Sequence, residues 1–211
     1  MYHVVHLSEM YHMVHRGGQV LKSSATGLTA LTESCLGAYV GSGTLDLSLD
    51  QLASVVGISK RMLVHYFGGR EAIEERAMAL LESRLRVQFA AENFPSKVDL
   101  RTVILALWDR TTNPDSKGVL LLVMDLSRRA WNGSRRARSF YDGQQRLWVK
   151  LLLQYSPDKR TVEDILQTFQ GAVLAYLITG DPGPGRRTLD RMCAGLKTPR
   201  KFSTTAKRIR R

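Results

Sequence analysis

The chain has little cysteine: two residues, Cys35 and Cys193, in 211. Two thiols so far apart argue against a disulfide framework and against a cysteine-based metal site. Long apolar runs are missing too. The longest, Val119-Leu120-Leu121-Leu122-Val123-Met124, falls far short of the roughly 18 residues of a membrane span. The N-terminus, MYHVVHLSEMYHMVHRGG, has no basic segment followed by a continuous apolar core, so a secretion signal is not expected. There is no phosphate-cradling glycine loop, no G-x-S-x-G and no H-E-x-x-H, and nothing recommends an enzyme. The expectation is a cytoplasmic protein, away from membranes, with no cofactor and no bound metal.

What the chain does have is positive charge, unevenly placed. The formal net charge is +12. Residues 1–95 hold 8 Lys and Arg against 9 Asp and Glu, residues 96–185 hold 13 against 9, and residues 186–211 hold 10 against 1. The excess thus sits at the C-terminus, and a basic tail attracts any polyanion without specifying one. With 44% hydrophobic residues, the chain is long enough for one sizeable core or for a small domain beside a larger one.

Residues 1–23 show no helical stripe and read as a flexible extension. His3, His6, His12 and His15 lie there. Their spacing can gather a metal, but no carboxylate or thiol is placed to help, and incidental histidines are the better reading. From Ser24 the rhythm becomes helical. Leu28, Leu31, Cys35 and Tyr39 make a first stripe, on which Cys35 reads as a small buried hydrophobe. Ile73, Ala77, Leu80, Leu81, Leu85 and Phe89 make another, and Leu100, Val103, Ile104, Leu107 and Trp108 a third. Ala137, Phe140, Tyr141, Leu147, Trp148, Leu151, Leu152 and Tyr155 follow, and then Val162, Ile165, Leu166, Phe169, Val173, Tyr176 and Leu177. The run Val119–Met124 is ambiguous by period, but with no partner strand elsewhere it reads as helix. The chain is expected to be all-α, with about nine helices. A helix-turn-helix unit spans 24–70, a helical ligand-binding and dimerisation domain 71–197, and a basic tail 198–211.

The most informative segment is LSLDQLASVVGISKRMLVHYFGGREAI. Ser48 with Gln51 three positions on is a capping box, and Leu47 with Leu52 a hydrophobic staple. Gly57 can take the left-handed conformation that ends a helix. Ser59 caps a second helix, which runs to about Tyr66 before Gly68-Gly69 breaks it. Helix, glycine turn, helix at this size is a helix-turn-helix. Leu63 and Phe67 face the core, leaving Lys60, Arg61, Val64 and His65 outward on a helix slim enough for a DNA major groove.

This segment resembles the DNA-binding signature of TetR-type (TetR/AcrR-like) transcriptional regulators over about residues 28–80. The resemblance implies that Ser48 and Tyr66 contact phosphates through hydroxyls, that Lys60, His65 and Arg70 lie at the backbone, and that Arg61 faces base edges or phosphates. Two positions depart from the family: Met62 stands where Thr is frequent and Val64 where Tyr is. Both lose a hydroxyl, although Val64 can still touch a thymine methyl. The family also implies a homodimer on a roughly palindromic double-stranded operator, with repression the expected output. It further implies a small-molecule effector between helices of the bundle, for which Trp108, Met124, Tyr141, Trp148 and Phe169 are the candidates. The stripe Val162–Leu177 with the segment Arg187–Leu196 is the expected dimer seam, and the helix opening at Arg70 the expected lever.

Two readings of other classes compete. A basic helical protein binding nucleic acid without sequence preference would lose nearly all binding on deletion of residues 198–211, whereas a regulator would keep its operator preference. A helical enzyme with an unrecognised aromatic-lined site would show turnover.

Overall fold

The structure, a computed structural model, describes residues 24–88, 98–156 and 158–196. The expected extension with its four histidines, Phe89 and the basic tail lie outside the described residues. Within them are nine α-helices and no strand. They are α1 (Ser24–Ser42), α2 (Leu49–Val56), α3 (Lys60–Phe67), α4 (Arg70–Gln88), α5 (Leu100–Thr111), α6 (Lys117–Trp131), α7 (Arg135–Leu152), α8 (Lys159–Thr179) and α9 (Gly183–Ala194). A 3-10 turn, Pro114–Ser116, leads into α6.

Helix starts follow local chemistry. The first amides of a helix have no partner within it, and a capping oxygen supplies one. Asp99 accepts from the Thr102 N–H at 2.8 Å, Ser134 from Ala137 at 3.3 Å, and Asp158 from Arg160 and Thr161, both at 3.2 Å. Helix α8 ends at Gly180, whose φ of 74° lies in the left-handed region.

The apolar stripes close into two cores. One joins α1–α4 to α6 and the start of α7, through Leu31, Cys35, Tyr39, Leu52, Leu63, Ile73, Ala77, Leu81, Leu122, Leu126 and Phe140. The other joins α5, the end of α7, α8 and α9, through Val103, Leu107, Trp108, Leu152, Val162, Ile165, Phe169 and Leu189. The N-terminal core does not stop at residue 70. Five residues of α4 (Ile73, Ala77, Met78, Leu81, Leu85) and three of α6 (Val119, Leu122, Leu126) belong to it. The helix-turn-helix therefore shares its core with the helices of the bundle.

The Val119–Met124 run is helical because α6 sits between the two cores. Val119, Leu122 and Val123 pack on the first and Leu120 on the second. Helix α6 approaches α1 closely at Gly118, where a Cβ would lie 2.4 Å from the Val40 carbonyl oxygen. At its far end the second core is closed by Trp108. The indole N–H donates to the Pro182 carbonyl at 3.1 Å, and its ring lies where a Cβ on Gly185 would sit, 2.5 Å away. Phe169 and Tyr176 meet this ring edge-on.

The α8 stripe faces inward. Val162, Ile165, Leu166, Phe169 and Val173 are buried in the chain's own core. They cannot form the dimer seam expected of them. The free face of α8 carries Gly171, Leu174, Ala175 and Ile178, with Leu174 51% and Ile178 77% exposed.

Candidate nucleic-acid interface and internal cavity

The helix-turn-helix is built by its caps. Ser48 Oγ accepts from the Gln51 N–H at 3.2 Å while Gln51 Oε1 accepts from the Ser48 N–H at 2.8 Å. Gly57 ends α2 at φ 78°, and its N–H donates to the Ala53 carbonyl. Ser59 accepts from the Met62 N–H at 3.2 Å and starts α3, and Gly68 ends it at φ 85°. A side chain at either glycine would be strained by that φ. Leu63 is fully buried and Phe67 nearly so, so the back of α3 is fixed to the core. Lys60, Arg61, Met62, Val64 and His65 are exposed on the other side.

The seven residues expected at DNA are not equivalent. Arg61, Val64 and His65 form one exposed surface, with Val64 41% exposed. The His65 ring meets Tyr66 edge-on at 5.5 Å, and Tyr66 is half-buried against the first core. Lys60 is exposed but already paired, its Nζ 2.9 Å from Asp50 Oδ2. Ser48 is exposed, its oxygen engaged by the cap. Arg70 is tied down within the chain. It donates from Nε to Glu74 Oε1 at 2.8 Å and from Nη2 to the Leu45 carbonyl at 3.0 Å. Its first role is to hold the loop before α2, which the sequence signature did not show.

That loop, between α1 and α2, is the centre of a polar network. Asp125 of α6 accepts from the Leu45 N–H at 3.0 Å, the Thr44 hydroxyl at 3.1 Å and the Arg129 Nε at 3.1 Å on one oxygen. Its other oxygen accepts from Arg128 Nε at 3.1 Å and Nη2 at 2.6 Å. Arg128 and Arg129 reach on to Asp46 at 2.9 and 2.6 Å, and Arg129 to Glu74 at 3.3 Å. Burial disfavours the charged form of Asp125. The hydrogen bonds from Leu45, Arg128 and Thr44 and the charge of Arg129 outweigh it, and the carboxyl is held below its ordinary pKa. Sequence reasoning missed this cluster because its members are separated along the chain by about 80 positions.

The same α6 lines a cavity of about 170 Å³ bordered by α4–α8 and open to solvent on one side. Leu120, Val123, Met124 and Ser127 face it, one side of the helix away from the Asp125 cluster. Of the five residues expected to bind a ligand, Met124, Tyr141, Trp148 and Phe169 line this cavity. Trp108 does not. It is 1% exposed, occupied by Pro182 and Gly185, and serves to close the second core. No Asp, Glu, Lys, Arg or His lines the cavity among the described residues.

Compared with known proteins, the chain matches no family model, no curated protein and no solved structure. No described helix is long and apolar enough to cross a membrane.

Proposed function

We propose that this chain is a ligand-responsive, DNA-binding transcriptional regulator of TetR type, acting as a homodimer on a roughly palindromic operator, with repression as its output. One observation carries the reading. Helix α3 is pinned from behind by Leu63 and Phe67, bounded by two left-handed glycines, and presents Arg61, Val64 and His65 to the outside. A short protruding helix of this kind fits the major groove, and two symmetry mates fit successive turns.

Regulation is a linkage. A small molecule shifts the equilibrium only by its differential affinity for two conformations. Helix α6 supports such a coupling: one side lines the cavity, and the Asp125 side holds Thr44–Asp46, the loop from which α2 departs. A displacement of α6 by a ligand is passed through Asp125, Arg128 and Arg129 to the reading helices. Helix α4, the lever read from the sequence, is joined to the same cluster through Glu74.

The test is selection of bound sequences from a random duplex pool by the purified protein, followed by binding to the enriched sequence by Arg61→Ala and His65→Ala. An inverted repeat is expected. The Arg61 variant should bind it about five- to a hundredfold more weakly, the worth of one arginine–guanine pair, with an unchanged melting temperature. An unenriched pool, or full operator binding by both variants, would refute the proposal.

A further inference from the structure

The cavity's lining restricts what can enter it. Among the described residues, an acid would find no Lys, Arg or His there, and an amine no Asp or Glu. Burying an unpaired charge is too costly for binding to offset. Three hydroxyl or amide donors on the wall are engaged within the chain. Ser116 donates to the Arg110 carbonyl and Ser127 to the Val123 carbonyl, each at 2.9 Å, and Gln145 Nε2 donates to the Tyr141 hydroxyl at 2.8 Å. Gln144 differs. It lines the cavity, and its side-chain Nε2 is buried without any hydrogen-bond partner. A buried amide donor left in this state is unfavourable and rare.

Volume and shape add to this. An apolar cavity of about 150 Å³ holds a benzene molecule, so about 170 Å³ suits one ring with a small substituent. Trp148 and Phe169, with ring centroids 6.2 Å apart and planes tilted by 37°, supply aromatic wall.

We infer that this cavity takes an uncharged compound the size of a substituted single aromatic ring, bearing a hydrogen-bond acceptor that receives the Gln144 side-chain N–H. The inference rests on the reading of the chain as ligand-responsive, but it concerns binding alone and is tested without DNA.

Acetophenone is the probe: a ring with one carbonyl acceptor. Cumene is close in size and lacks the acceptor, and benzoate and benzylammonium carry opposite charges. Each is titrated calorimetrically into the full-length protein. Acetophenone should bind one per chain, about three- to tenfold tighter than cumene, the worth of one neutral hydrogen bond. It should bind at least about a hundredfold tighter than either ion. Gln144→Leu and the closer isostere Gln144→Met should erase the preference over cumene while leaving cumene binding within about twofold, which also shows that the variants are folded. Val123→Trp, which fills the cavity, should abolish both. The inference is overturned if acetophenone shows no saturable binding up to about 10 mM, if benzoate or benzylammonium binds as well, or if the preference survives both Gln144 variants. A failed operator selection leaves these results standing. Failed titrations leave the operator selection standing.

Discussion

Asp125 brings four partners from two parts of the chain onto one carboxylate, and its stability contribution depends on pH. Its folded pKa lies below the ordinary value of about 3.9. The contribution is therefore complete above that value and is lost as pH falls through the lower folded one. Asp125→Asn is expected to destabilise the protein by about 1–3 kcal/mol at pH 7, the range for hydrogen bonds to a charged group. Its deficit against the parent should shrink as pH falls through the lowered carboxyl pKa, as read from urea melts at neutral and at acid pH. Tyr39 is the opposite case. Its hydroxyl is buried with no partner, and burial raises its pKa. Tyr39→Phe removes the unpaired group and should stabilise by about 1 kcal/mol, measured in the same melts. Burial also pushes the Cys35 thiol up to about 12 and Cys193 to about 11, so both thiols are protonated at neutral pH. At this scale the sequence was legible where partners are close. The Ser48–Gln51 box lies within four consecutive positions and could be read directly. Trp108 could not: an apolar stripe does not tell a core aromatic from a cavity one, and only the arrival of Pro182 and Gly185 decides which it is.

Caps and glycines fix where each helix begins and ends, and these signals are local, which is why the bounds of α2 and α3 were apparent from Ser48, Gly57, Ser59 and Gly68. Pairing between helices is not local. That α6 crosses α1 at Gly118 depends on the shape of both, and nothing in the sequence around Gly118 marks it as a point of close approach. Gly118→Ala places a methyl against the Val40 backbone, where no side chain can rotate away. An expected loss of about 1–3 kcal/mol should appear in a thermal melt. Under the proposed function, a weakened response of DNA affinity to ligand should accompany it, because α6 would be displaced from the position it uses to clamp Thr44–Asp46.

For the whole molecule, the uncertain question was which side of each stripe faces a partner. Helical periodicity shows that α8 has an apolar face, but it does not distinguish the chain's own core from a second copy. The inward stripe proved to be core, and a second apolar face at Leu174 and Ile178 remained exposed. If homodimerisation uses this face, Leu174→Glu with Ile178→Glu should yield a monomer in analytical ultracentrifugation. Under the proposed function, DNA affinity should drop with it, because residues 1–95 carry 9 acidic against 8 basic groups and one copy has few cations to offer phosphates. Neither substitution touches the buried stripe, so the melting temperature at high protein dilution should be unchanged.

The first core, running unbroken from α1 into α4 and α6, has a practical corollary for anyone recombining such proteins. A chimera that joins the segment before Arg70 to a foreign bundle would sever Leu52 and Leu63 from the core they share with Ile73, Ala77 and Leu122. The transplantable module is therefore discontinuous: the helix-turn-helix travels only with two helices that the linear sequence assigns to something else.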